Sequence, residues 1–197
     1  MDGLRERKKA QTRQAIADAA LTLFGERGFD AVPVAAVARA AGVSEATVFN
    51  YFPTKESLVF SGLEEFETAL VEAIGGRPAG RSVVTAFEGF VLGPPYGELG
   101  SDRLRTAARI IEGSPALLAR ERLIYDRYTD ALAAALSSGS RDDLTAWVTA
   151  NALLGVHRAL VAYVRRETLA GVAGPTLLRR VRARGRRALA VLASGIG

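Results

Sequence analysis

The sequence predicts an all-α chain: an N-terminal three-helix unit of helix-turn-helix type, followed by a larger C-terminal helical bundle. Three observations predict it. From Ser82 onward every periodic stretch repeats its apolar residues at the three- and four-residue spacing of a helix. Gly- and Pro-rich breaks at 75–80, 93–97, 113–115, 137–140 and 171–175 divide those stretches. Between Pro33 and Leu58, two short helical segments meet across one glycine. The boundary between the two parts is expected near residue 56, giving blocks 1–56 and 57–197.

The first eight residues read as a mobile basic arm. Two readings stay open for it: a disordered terminus, or an arm that touches a phosphate or a minor groove. A long helix is expected from Arg7 to Arg27, with Ile16, Ala19, Ala20, Leu23 and Phe24 as its buried stripe. Gly28 ends it, and Phe29 packs back.

The next helix spans Val34 to Ala41, with Val34, Val37, Ala38 and Ala41 on one face. Gly42 stands where a helix C-terminus takes a left-handed residue, and Val43 plugs the gap between helices. Ser44 is placed to cap the following helix by accepting from an orphan backbone N–H. That helix runs to Phe52 and is stopped by Pro53. Such a second helix suits the major groove of duplex DNA, its N-terminal residues on base edges. Glu45 suits a cytosine amino group, Ala46 a thymine methyl, and Phe49 shares their face. Glu45 has a plainer reading too, as an acid favoured by the helix dipole. Ser44, Thr47, Asn50 and Tyr51 carry groups suited to phosphate oxygens. Thr54 caps a further helix with Lys55 in its first turn; a cation there opposes the dipole unless a phosphate lies near.

The run Val37-Ala38, Ala41-Gly42-Val43-Ser44, Thr47, Phe49-Asn50-Tyr51-Phe52-Pro53-Thr54-Lys55-Glu56 and Leu58 resembles the DNA-binding signature of the TetR family of regulators. The resemblance covers residues 10–60. It implies a homodimer on a palindromic operator, with Thr47, Tyr51 and Lys55 on the DNA backbone and positions 45, 46 and 49 on bases. Two residues depart from the pattern. Pro33 stands where a capping Thr is usual, and Phe49 where Tyr is common.

Composition sets limits. Of 197 residues, 49% are apolar, enough for a packed core. Without Cys there are no disulfides, thiolate metal sites or Cys nucleophiles. The basic start Leu4–Lys9 lacks the apolar stretch of a signal peptide. No run of 18 apolar residues is present to span a bilayer. These features lead to the expectation of a soluble cytoplasmic protein without a membrane partner. The net charge is +5. Through Glu56, eight bases face seven acids; from Arg158 to Arg187, nine arginines face one acid, Glu167. Charge alone therefore does not single out the helix-turn-helix, and the C-terminal arginines read as a solvated face.

Beyond Lys55, one helix is expected to continue through Leu58, Val59, Leu63, Phe66, Leu70 and Ile74. Later stripes are Val83, Ala86, Phe87 and Phe90; then Leu104, Ala107, Ala108 and Ile111. A helix opening at Pro115 carries Leu117, Leu118, Ile124, Tyr125, Tyr128 and Leu132. The helix from Arg141 to Arg166, capped by Asp142 or Asp143, is nearly apolar on all sides from Leu144 to Val164, so two of its flanks need cover. The last helix carries Leu177, Leu178, Val181, Gly185, Ala188, Leu189 and Leu192.

In the resembling family the last two helices pair with their mates. That implies an interface at Leu153, His157, Leu160, Leu178, Val181, Gly185 and Leu189; an intramolecular core helix would show the same pattern. Pockets are apolar with a few placed polar groups, which selects Phe87, Phe90, Arg109, Tyr125, Tyr128, Trp147, Asn151 and Arg158. Trp147 and Asn151 are expected to face one cavity, a turn apart. The stretch Leu104–Pro115, with Arg120-Glu-Arg and Ala152–Arg158, resembles the C-terminal domain of mycofactocin-system regulators. That resemblance implies a hydrophobic effector such as an acyl-CoA, its phosphates met by Arg103, Arg109 or Arg158. No cofactor or metal is expected. One His and no clustered carboxylates argue against an enzyme. The alternatives are a ligand-independent architectural DNA binder and an activator.

Overall fold

The computed structural model describes residues 2–61, 63–93, 99–137 and 143–194, without the side chains of residues 2, 63 and 64. Among them every regular element is helical. The sequence breaks at Pro94–Gly97 and Ser138–Ser140, and the helix start at Arg141 with Asp142 as a cap, lie outside the described residues.

Two compact units form. The first joins residues 1–62 to Thr106–Arg120; the second joins Leu63–Arg105 to Glu121–Gly197. The first unit thus recruits a distant segment absent from the continuous 1–56 block read from the sequence.

In the first unit, α1 (Asp2–Arg27) packs on α2 (Val34–Ala40), and α2 on α3 (Glu45–Tyr51). Its core is Ile16, Ala20, Phe24, Phe29, Val32, Val37, Ala38, Val48, Phe52 and Leu58. Leu23, Ala41 and Val43 are half-buried against it. Phe24 and Phe29 meet edge to face at 5.1 Å, a geometry set by the ring quadrupoles. Gly42 has φ 68°, the left-handed turn that lets α2 stop and α3 start. Ile110, Ile111 and Leu117, from the end of α6 (Asp102–Glu112) and the start of α7 (Pro115–Leu136), complete the core.

Two expectations are corrected. Residues 2–8 are no loose arm, since α1 is helical from Asp2. No continuous helix follows Lys55 either: a 3-10 turn at Glu56–Leu58 precedes α4 (Leu63–Gly75). Thr54 still caps that turn, its hydroxyl accepting from Ser57 N at 3.2 Å.

In the second unit, α5 (Val83–Leu92) packs on α4, α8 (Leu144–Leu169) and α9 (Gly174–Ser194), and α8 packs along α9. Asp143 caps α8, accepting from Ala146 N at 3.1 Å. Gly185 allows close packing: a Cβ there would lie 2.7 Å from Leu92 Cδ2 and 3.2 Å from Leu160 Cδ1, so these side chains would have to shift. Glu121 of α7 and Arg165 of α8 form a largely buried ion pair. No helix among the described residues is long and apolar enough to cross a membrane.

Candidate DNA-binding site

The candidate site is built on α3. Ser44 precedes it with extended backbone and accepts from Thr47 N at 3.1 Å. This bond satisfies one of the donors that a helix start leaves free. The Ser44 and Thr47 hydroxyls lie 2.8 Å apart. Val48 and Phe52 anchor the inner side, each 1% exposed. With those two fixed inward, helical spacing turns Glu45, Ala46, Phe49 and Asn50 to solvent. Phe49 is 46% exposed, which leaves much of its ring in water. Thr47 and Tyr51 are half-buried at its edges.

Pro33 opens α2 with no side-chain cap, as its chemistry requires. Lys55 is half-buried, with Nζ 4.4 Å from the Phe29 ring centroid and 3.5 Å from the Asp30 carbonyl oxygen. It precedes the 3-10 turn rather than sitting inside an α-helix, so Phe29 and Asp30, not the next helix, hold its stem and head.

The basic start, for which a phosphate contact is one of two readings, forms a second surface as a helix. Arg5, Glu6, Lys8, Lys9 and Thr12 of α1, with Tyr51 of α3, line a cleft of about 570 Å³. The signal for it was present: Leu4 to Gln14 contains good helix formers with no Gly or Pro.

Residues 16–61 match the model of the bacterial regulatory proteins of the tetR family. The chain is 31% identical over 172 residues to the HTH-type transcriptional regulator TcmR of Streptomyces glaucescens, covering 84% of this chain and 76% of that one. The chain belongs to the TetR family. It is also 31% identical over 170 residues to the putative mycofactocin biosynthesis transcriptional regulator MftR of Mycobacterium tuberculosis, covering 80% of each. The fold resembles that of NalD, the secondary repressor of the MexAB-OprM multidrug efflux pump in Pseudomonas aeruginosa: TM-score 0.56 and 20% identity, over 91% of this chain and 97% of that one. As a TetR-family protein the chain is a DNA-binding transcriptional regulator.

The residues expected to line a pocket separate. Phe87, Tyr125 and Tyr128 are buried and Phe90 is half-buried. Trp147 and Asn151 lie on an exposed flank of α8. Trp147 is 50% exposed, Asn151 is exposed, and the Asn151 amide donates to the Trp147 carbonyl at 2.9 Å. A helix apolar all round places one flank outward, and these two are on it. Arg109 and Arg158 are exposed, and the Arg158 guanidinium stands 5.7 Å from the Tyr125 ring centroid.

The interior is an aromatic cluster. Phe66, a residue the pocket reading omitted, stacks on His157 at 4.9 Å and meets Phe90 and Tyr128, each at 5.3 Å. His157 is half-buried, and burial lowers its pKa to about 4. Burial also raises the pKa of Tyr125 and Tyr128, Glu121 adding to the shift at Tyr125.

Most residues expected at a subunit interface are used inside the protomer. Leu153, Leu160, Val181, Gly185 and Leu189 are buried within the chain, His157 belongs to the aromatic cluster, and Leu178 is half-buried. The small-residue stripe of α9 therefore packs on α5 and α8 rather than offering a surface. The exposed stripe of α8 is instead Leu144, Trp147, Val148, Asn151, Gly155, Ala159 and Ala162. Among the described residues no group of three or more His, Asp or Glu is placed to hold a metal ion.

Proposed function

We propose that this regulator is a homodimeric repressor that grips a palindromic operator and leaves it when a small hydrophobic effector enters the second unit. One observation carries the DNA reading. Glu45, Ala46 and Phe49 form an exposed row on a helix whose start is capped by Ser44 and whose other side is anchored by Val48 and Phe52. Base contacts are assigned to that row. Phosphate contacts are assigned to Ser44, Thr47, Asn50, Tyr51 and Lys55 beside it. Two such helices about 34–36 Å apart read half-sites one DNA turn apart.

Dimerisation is assigned to the outer stripe of α8. Leu144 is 72%, Trp147 50% and Val148 55% exposed. A Cβ at Gly155 of the same stripe would meet no atom within 4 Å among the described residues outside its own helical turn, so packing there does not call for a glycine. Close approach of a partner helix gives it a reason.

The effector is assigned to the cluster of Phe66, Phe90, Tyr125, Tyr128 and His157, with Arg158 at its edge. An acyl-CoA fits this chemistry: an acyl chain among the rings and a phosphate near the arginine. The resemblance of Leu104–Pro115 and Ala152–Arg158 to mycofactocin-system regulators implies that class. The rings are packed against one another, so an effector enters by parting them, which moves α7. Helix α7 contributes Pro115–Arg120 to the first unit and its remainder to the second. A ligand releases DNA only through unequal affinity for the two conformations, so effector and operator must weaken each other by the same factor.

The test is selection of binding sites from random duplex DNA, followed by a screen of acyl-CoAs and apolar small molecules for release. Enrichment of inverted repeats is expected. No preference for them over random duplexes would overturn the operator reading, and an effector that binds without altering operator affinity would overturn the release mechanism.

A further inference from the structure

We infer that the N-terminal turns of α1 are a rigid part of the DNA interface, the cleft of Arg5, Lys8, Lys9 and Tyr51 seating backbone phosphates of the duplex beside α3. The inference rests on the DNA-binding reading above and adds a surface to it.

Helical spacing sets the direction of these side chains. Arg5, Lys8, Lys9 and Thr12 stand at positions i, i+3, i+4 and i+7, which is one face of α1. The same stripe continues into Ile16 and Ala20, both 0% exposed in the core shared with α2 and α3. The core therefore fixes the rotation of α1, and the bases emerge on the side where α3 lies. The cleft confirms that placement, because Tyr51 of α3 lines it with them.

Charge gives the cleft its occupant. Arg5, Lys8 and Lys9 have no ion pair among the described residues, and Glu6 is the single acid among the lining side chains. Arg5 also sits in the first turn of α1, where the helix dipole is positive and a cation is disfavoured. An isolated protein has no use for three uncompensated cations in one cleft; a polyanion removes the repulsion. The Thr12 hydroxyl is engaged, donating to the Lys8 carbonyl at 3.0 Å. The Tyr51 hydroxyl has no hydrogen-bond partner among the described residues and is available to a phosphate oxygen. Because the turns are already helical, binding does not meet the ordering cost of a loose arm.

Each phosphate neutralised contributes about 0.9 to the salt slope of log affinity. The experiment measures binding of the full chain to its selected operator and to random duplex across a salt series. The variants are Arg5→Ala/Lys8→Ala/Lys9→Ala, Tyr51→Phe and Glu6→Gln. Alanine is the best helix former, so the triple variant keeps α1, as circular dichroism checks. The triple variant is expected to lower the slope by about 2.7 per bound protomer and to weaken operator and random duplex alike, by about tenfold or more at 150 mM salt. Tyr51→Phe should weaken binding with the slope unchanged, since it removes a hydroxyl and no charge. Glu6→Gln should tighten binding to both duplexes. A triple variant with wild-type slope and affinity overturns the inference while the inverted-repeat preference of the wild type keeps the operator reading. A wild-type protein that binds no duplex overturns both.

Discussion

The hydroxyl of Tyr125 lies 3.2 Å from Nδ1 of His157, joining α7 to α8 inside the second unit. In the tautomer with its proton on Nε2, His157 accepts the Tyr125 O–H. Phe66 covers the other side of the imidazole. Protonation would put a charge into this aromatic setting, which is why burial holds the pKa near 4.

A pH dependence follows, and its sign is fixed. The folded-state pKa lies below the ordinary value of 6.5, so between those values the unfolded chain binds more protons. Stability is full above about pH 6.5 and is lost as pH falls toward 4, by an amount on the order of 3 kcal/mol from this group. Urea midpoints for wild type and His157→Gln at pH 7.5, 5.5 and 4.5 check it. The variant should show a shallower decline. Because the chain has one histidine, its imidazole Hε1 resonance reports the titration directly. A midpoint near 6.5 would mean that the ring is solvated.

Lys55 leads to a second prediction. Its ammonium is held between the Phe29 ring and the Asp30 carbonyl, which limits its freedom before any DNA arrives. Lys55→Met keeps most of the stem packing and removes the charge. It should weaken operator and random duplex alike, lower the salt slope by about 1 per protomer, and cost the fold no more than about 1 kcal/mol, the size of an exposed cation–π contact. An unchanged slope would take Lys55 out of the interface.

Ser44 has two assigned roles that substitution can separate. Ser44→Ala deletes the cap on Thr47 N and should lower stability by about 1 kcal/mol. Ser44→Asp restores a capping oxygen and suits the dipole, yet places an anion against phosphate. It should recover stability and lose DNA affinity. If Ser44→Asp binds operator as wild type does, Ser44 is a cap and nothing more.

The DNA-binding unit was legible because its signals are local. A glycine at φ 68°, a serine cap and a proline stop are each set by residues within a turn of one another. Ile110, Ile111 and Leu117 joined that unit without local warning, since a stripe on a later helix does not name the partner it covers. The same ambiguity misplaced the outer face of α8. Leu153, Leu160 and the Trp147–Asn151 pair all sit on an apolar helix, and only packing against α5 and α9 decides which flank is inside. The arm was misread for a different reason: charge suggested disorder, while the propensity of its residues favoured helix.

That outer flank gives the last prediction. Val148 is 55% exposed beside Trp147 at 50% and Leu144 at 72%. Val148→Glu places a charge in the stripe without touching the core, so a protomer should keep its helicity and thermal midpoint as far as these are intramolecular. At a buried two-fold interface the substitution brings two like charges together and desolvates them, a cost of several kcal/mol. Sedimentation should then show a monomer where wild type is a dimer. Operator binding should fall toward the affinity of a single half-site, while the salt dependence per protomer stays as it was. Gly155→Leu, on the same face with open space around its Cβ, should act in the same direction by steric means. A helix gains from losing a glycine, so the protomer itself should be no less stable. Dimers that survive both substitutions would move the subunit contact off α8.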